Sequence, residues 1–238
     1  MKCKIKIWIY PLAIMGMVLF FTSSCKKDKN SPLETGTVTD VEGNVYQTVK
    51  IGDQWWMAEN LKTTKYNDGS AMPLVTDSAS WAESSTPAYC WYDNNVDNKN
   101  TYGALYNWFT VNTGKLAPTG WHVPTDAEWT TLTNNLGGQL LGGGKMKSTG
   151  TIEAGTGLWY SPNTGATNES GLTAIPAGSR SNDGAFSYIG IYGYWWSSSE
   201  FESVASYAWF LQLQYGVSPV FRFPDYKNFG FSVRCVKS

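Results

Sequence analysis

Residues 120–129 read GWHVPTDAEW, and this stretch decides the fold because it marks the start of a helix. Thr125 is followed three residues later by Glu128. That spacing is a capping box: the threonine oxygen accepts from the Glu128 amide, and the glutamate reaches back to the cap. Asp126 and Glu128 both fall in the first turn, where the helix dipole favours negative charge, and Pro124 fixes the approach. Trp129, Leu132 and Leu136 repeat at helical spacing before Gly137-Gly138 ends the run. The stretch also holds His122, the single histidine of the chain. As a catalytic base it would need an orienting partner and a nucleophile. Both nearby carboxylates are committed to the helix start, and no Gly-x-Ser-x-Gly or His-Glu-x-x-His motif is present. His122 therefore reads as a packed, hydrogen-bonded residue. No catalytic residue, metal ligand or cofactor is expected.

Toward the N-terminus, residues 37–58 read as a three-stranded meander: TVTDV, the turn EGN, VYQTVKI, the turn GDQ, then WWMA. Alternation places Val45, Gln47, Val49 and Ile51 on one face of the middle strand and Tyr46, Thr48 and Lys50 on the other. Residues 59–87 look like loop, and AYCWY (88–92) like a short strand. In DNNVDNKN the spacing Asp93-x-Asn95-x-Asp97 imitates the first ligands of a calcium loop. Asn98 replaces the required glycine and Ala104 the bidentate glutamate, so these residues read as turn formers. YGALYNWFTVN (102–112) has the spacing of a short amphipathic helix, through Leu105, Trp108, Phe109 and Asn112.

Beyond the capped helix, GGQLLGGGK lacks the strand and the Lys-Ser/Thr pair of a phosphate loop, so residues 137–170 read as glycine-rich loop. The final third returns to strand-like segments: GLTAIPAG, GYWWSSSE, SYAWFLQLQ, VSPVFRF and GFSVRCV. Aromatics make up 15% of the 238 residues, enough for a core or a binding surface built from rings. The net charge is −1, with no basic cluster past the N-terminus. Nucleic acid is therefore not an expected partner, since phosphate contacts need grouped Lys and Arg.

The first residues follow a separate logic. Lys2, Lys4 and Lys6 precede an apolar run from Ile7 to Phe21, then Thr22-Ser23-Ser24-Cys25. This is the pattern of a secretory signal, too short to span a bilayer. It resembles a bacterial lipoprotein signal, with Thr22 where leucine is usual. The expectation is a signal at 1–24, a lipid on Cys25, a flexible tether at 25–36 and one domain at 37–238. Removing the three lysines would take the net charge from −1 to about −4. With Cys3 lost and Cys25 lipidated, Cys90 and Cys235 remain. In an oxidising compartment the pair reads as a disulfide, with two free buried thiols as the alternative.

DVEGNVYQTVKIGDQWWMAENL, YGALYNW, GWHVPTDAEWTTL, YWWSSSE and GFSVRCVK resemble, in order, the Fibrobacter succinogenes major paralogous domain. The resemblance covers roughly residues 37–237 and implies secretion, one domain and surface display, with no established reaction. More distantly, HVPTDAEWTTL and GFSVRC look like segments of the formylglycine-generating, sulfatase-modifying enzymes. That likeness implies an α+β, C-type-lectin-like fold: a twisted antiparallel sheet with two short helices and long irregular loops. It does not carry the chemistry, because YGVSPVFRFPDYKNFGF lacks the copper-binding cysteine pair. Cys235 matches the structural cysteine of the closing motif.

The expectation for function is a non-catalytic, lipid-anchored binding or adhesion domain of the cell envelope. It would sit at the outer membrane, on the periplasmic face or the cell surface, with a glycan or protein ligand. Candidate ligand-binding rings are Trp159, Tyr160, Tyr188, Tyr192, Tyr194 and Trp196. Two alternatives are a divergent enzyme on the same fold, drawing on His122, Arg180, Asp183 and Glu200, and a structural subunit of a surface assembly.

Overall fold

The computed structural model describes residues 32–238. The expected signal, Cys25 and the first part of the tether lie outside the described residues. Regular structure begins two residues earlier than expected, with β1 (Thr35–Thr39). β2 (Val45–Ile51) and β3 (Gln54–Met57) complete an antiparallel meander in which Thr37 faces Gln47 and Thr48 faces Met57. Its turns place Gly43 at φ 82° and Gly52 at φ 62°, a region that side chains resist.

The segment expected to be loop contains one turn of helix, α1 (Ser78–Ala82), capped by the Asp77 carboxylate and burying Trp81. β4 (Tyr89–Cys90) follows, then two 3-10 turns (Tyr92–Asn94, Val96–Asn98), α2 (Lys99–Tyr102), β5 (Leu105–Tyr106) and α3 (Trp108–Val111). The helix expected over 102–112 is therefore broken. Gly103, at φ 78° and packed against Asn60 and the Leu61 carbonyl, ends α2. Leu105 and Tyr106 pair with β4 instead, and Asn107 caps the short α3.

β6 (Trp121–His122) leads into α4 (Asp126–Asn135), where both halves of the Thr125–Glu128 capping box are present. Gly137 and Gly138 leave the helix at φ 97° and 87°. The glycine-rich stretch expected to be loop then forms α5 (Gln139–Met146). Its glycines are there for close approach. A Cβ on Gly143 would lie 2.5 Å from the Ser218 carbonyl oxygen, and one on Gly144 would lie 2.4 Å from that of Gly165. The remaining strands are β7 (Ser179–Arg180), β8 (Phe186–Ser187), β9 (Tyr192–Glu200), β10 (Tyr207–Gln214), β11 (Phe221–Tyr226) and β12 (Val236–Lys237). GLTAIPAG forms no strand, and GFSVRCV contributes only Val236.

The architecture is mixed α+β, with antiparallel sheets and a few short helices, five rather than two among the described residues. A five-stranded sheet has the order β1-β2-β3-β12-β6, a three-stranded sheet has the order β11-β10-β9, and β4-β5 and β7-β8 form two small pairs. No helix of the described residues is long and apolar enough to cross a membrane.

Several strands are covered on both faces. On β2, Tyr46 packs into one core cluster while Val49 and Ile51 pack into another, and Val45 is exposed. The two faces that alternation assigns to this strand are thus both partly buried. Neighbours Trp195 and Trp196 are likewise both buried, in separate clusters on the two faces of β9. Cys90 and Cys235 are free, buried thiols in separate clusters, which corrects the expected disulfide. Burial pushes the Cys90 thiol up to about 12 and raises that of Cys235 further.

Three buried cations hold the irregular loops. The Lys147 ammonium donates to the carbonyls of Thr164, Gln214 and Val217 at 2.9–3.0 Å and lies 5.5 Å from the Trp159 ring. Arg180 donates to the carbonyls of Val75, Thr76 and Gly184 and is sandwiched between Trp81 and Phe186. Arg234 donates to Asn60 and to the carbonyls of Leu172 and Thr173, against Trp195. Each supplies donors to loop carbonyls that no ladder could reach, and each places its charge over an electron-rich ring.

Candidate functional site

The three-stranded sheet carries a ring-lined shelf. Register sets Tyr194, Gln212 and Phe221 side by side, and Phe210 beside Phe223. Alternation adds Tyr192, Gln214 and Asp225 to the same face. Phe231 covers its middle, 5.0 Å from the Tyr194 ring and 4.8 Å from Phe210. Beyond that cover the rings form a continuous chain. Centroid separations are 5.2 Å for Tyr188–Tyr192, 5.6 Å for Tyr192–Tyr194, 5.9 Å for Tyr194–Phe210, 6.2 Å for Phe210–Phe223 and 6.1 Å for Phe223–Phe221. The centre of the chain is buried and its ends are open: Tyr188 is 51% exposed and Phe223 47%. Tyr192, Gln212, Gln214 and Phe221 are half-buried.

Asp225 sits half-buried at the edge of the shelf. Its one hydrogen bond among the described residues comes from the Tyr226 amide, at 2.8 Å. Burial raises its carboxyl above the usual range, and the Tyr226 amide offsets this only in part. A carboxylate among rings without a cation retains acceptor capacity that a ligand can use.

The opposite face of the sheet packs Trp195, Leu211 and Leu213 against Trp129 and Leu132 of α4, and its outer end is closed by its own side chains. The Arg222 guanidinium lies 4.1 Å above the Trp209 ring and pairs with Asp126 at the α4 start. Phe201 meets the edge of the same ring. Beside them lies a hollow of about 360 Å³ lined by Thr125, Asp126, Ser199, Glu200 and Trp209 among others.

The six candidate rings divide. Tyr188, Tyr192 and Tyr194 come together on the shelf. Trp159 and Trp196 are fully buried, with their indole N–H groups donating to the carbonyls of Ala174 and Tyr106; both are core residues. Tyr160, 39% exposed, packs on Gly190 beside the shelf. Sequence reasoning missed Phe221, Phe223 and Asp225, although their alternation in FRFPDY was visible.

His122 has two partners. Its Nε2 lies 2.8 Å from Glu128 Oε1, and its Nδ1 lies 2.9 Å from Ser238 Oγ. The connectivity is that of a hydroxyl, an imidazole and a carboxylate in series. Glu128 is nonetheless committed to the helix start: its other oxygen accepts from the Thr125 amide and hydroxyl, both at 2.8 Å. Burial pushes its carboxyl up, but the Thr125 amide, His122 and the Thr125 hydroxyl together bring it below the ordinary value. Neither His122 nor Ser238 lines the hollow beside Trp209 or the smaller one between Asp40 and Pro118. The other polar residues named with His122 have separate partners: Arg180 the loop carbonyls, Asp183 the turn at Ser181 and Ala185, and Glu200 the ammonium of Lys227. Asp93 and Asn95 shape turns, the first at φ 53° and the second capping the Asp97 amide. Among the described residues no group of three or more His, Cys, Asp or Glu is arranged to hold a metal ion.

Fold and shelf together define a small α+β domain with an aromatic sheet face. Residues 49–237 match the Fibrobacter succinogenes major domain, and the chain belongs to that family. No curated protein matches the chain, and no solved structure does.

Proposed function

We propose that this chain is a non-catalytic, lipid-anchored domain of the cell envelope that binds a glycan or protein ligand on the shelf of β9, β10 and β11. The observation that carries the reading is the continuous chain of rings with exposed ends at Tyr188 and Phe223. Exposed aromatics bring large contact area at low entropic cost, and they concentrate where proteins bind. The Lys-rich start, apolar run and Cys25 support an outer-membrane anchor with the domain on the periplasmic face or the cell surface. Short helices beside antiparallel sheets and long irregular loops support a C-type-lectin-like arrangement related to the sulfatase-modifying enzymes, used here for recognition. The test is a screen of the full chain in detergent against glycan and protein panels, with Phe223→Ala and Tyr188→Ala as controls. Ligands retained equally by both variants count against the shelf. Protease shaving of intact cells reads the location, and a protected domain means a periplasmic face.

A second reading, a divergent hydrolase, draws on the Ser238–His122–Glu128 series. It requires turnover of an activated ester that His122→Ala abolishes. Turnover that survives the substitution removes this reading.

A further inference from the structure

Resting on the binding-module reading, we propose that the shelf is selective for uncharged polysaccharide, held by stacking on its rings and by hydrogen bonds from sugar hydroxyls to Asp225, Gln212 and Gln214. The charge distribution carries the selectivity. Along β9, β10 and β11 the shelf face has no lysine or arginine; of the two carboxylates that flank Ala208 in its end row, Glu200 is held by Lys227 and Asp225 has no cation. The nearby cations are engaged elsewhere. Arg222 projects to the opposite face, where Trp209 and Asp126 hold it, and Lys227 is bound by Glu200 over the Trp108 ring. An anionic chain would thus meet an unpaired carboxylate with nothing to neutralise it.

The pattern of groups also distinguishes a glycan from a protein surface. Protein hot spots are enriched in tryptophan, tyrosine and arginine, and of these the open part of the shelf offers only tyrosine. Here rings stand beside amide groups in adjacent rows, Tyr194, Gln212 and Phe221 in one and Tyr192 and Gln214 in the next, with Asp225 further along β11 beyond Phe223. A sugar offers this combination, with C–H faces for the rings and hydroxyls around its rim. The open rings Tyr192, Phe221 and Phe223 flank the buried centre, and three strands spaced about 4.8 Å apart set those flanks roughly 10 Å apart, the reach of a short oligosaccharide. Asp225 supplies charge-assisted acceptors for those hydroxyls, which are about twice as strong as neutral ones. Its raised carboxyl pKa fits a group set among rings without a counterion.

The test is affinity electrophoresis of the full chain in detergent through gels containing hydroxyethyl cellulose, mannan or polygalacturonate. Wild type is run beside Phe223→Ala, Asp225→Asn and an off-shelf control, Leu140→Ala, and near-ultraviolet circular dichroism confirms that each is folded. The expected result is retention by at least one of the neutral polymers and none by polygalacturonate. Both shelf variants should bind about tenfold more weakly, the loss expected for one stacking or charge-assisted contact, with Leu140→Ala unchanged. Stronger retention by polygalacturonate overturns the proposal, as does neutral-polymer binding that both shelf variants preserve. Failure of all three polymers, with a protein ligand that Phe223→Ala loses, overturns the glycan inference and leaves the binding-module reading standing. Failure of the polymers and of the protein panel overturns both.

Discussion

Lys147 offers a quantitative test of how the loops are held. Its side chain is fully buried, and its ammonium joins the carbonyls of Thr164, Gln214 and Val217. Lys147→Met keeps the volume of the stem and removes the donors. Three carbonyls then lose their partner. An unsatisfied buried acceptor costs about 1–3 kcal/mol, and relief of the buried charge returns part of that. The expected loss near neutral pH is about 3 kcal/mol, a large share of the about 5–15 kcal/mol typical of a domain. Desolvation also lowers the lysine from its ordinary 10.5 to about 8. Between those values the unfolded chain binds more protons than the folded one, so the contribution of Lys147 to stability rises with pH. The gap between wild type and Lys147→Met should therefore widen by about 1.5 kcal/mol from pH 8 to 9.5. That window ends before unfolded tyrosines ionise, near 10, and taking the difference cancels the other titrating groups. Urea titrations of both proteins at each pH, followed by tryptophan fluorescence, give the two curves. A gap below about 1 kcal/mol, smaller than one lost buried hydrogen bond, refutes the clamp. A gap that does not change with pH refutes the depressed ammonium.

Three further outcomes are expected. Gly143→Ala raises helix propensity by up to about 1 kcal/mol, yet its Cβ would lie 2.5 Å from the Ser218 carbonyl oxygen. Net destabilisation of about 1–3 kcal/mol in chemical denaturation is expected, and a stabilised protein would show that α5 does not touch that loop. Thr125→Ala removes the hydroxyl that caps the Glu128 amide and should lower stability by about 1 kcal/mol, read from the shift in denaturation midpoint; an unchanged midpoint argues against the cap. Cys90 and Cys235, buried thiols held above the ordinary range, should resist iodoacetamide in the native protein and react in urea without reductant, as mass spectrometry would read. No reaction in urea would mean they are bonded.

The capped helix was legible because everything that specifies it lies within a dozen residues: Thr125 and Glu128 at the start, Trp129 and Leu132 on one face, Gly137-Gly138 at the end. The meander was legible for the same reason. α5 was hidden because glycine signals loop from local propensity alone, whereas Gly143 and Gly144 are set by carbonyls from Ser218 and Gly165, far along the chain. Rings gave a partial view of the site. Tyr188, Tyr192 and Tyr194 stood out among glycines, but nothing local separates them from Trp159 and Trp196, whose burial depends on packing across the sheet. Phe221 and Phe223 fall within VSPVFRF, which reads as a strand, but that segment stops before Pro224 and so leaves out Asp225. Pro224 is tolerated because β11 is the edge of its sheet.

The position of β12 bears on how the protein is made. Val236 pairs with Trp56 on one side and His122 on the other, so the larger sheet stays split until a segment 180 residues beyond Trp56 has been delivered. Contacts of such high sequence separation form slowly. During synthesis β3 and β6 each hold an open edge until β12 has emerged. Closure of the larger sheet is thus a late event in folding, set by the arrival of β12.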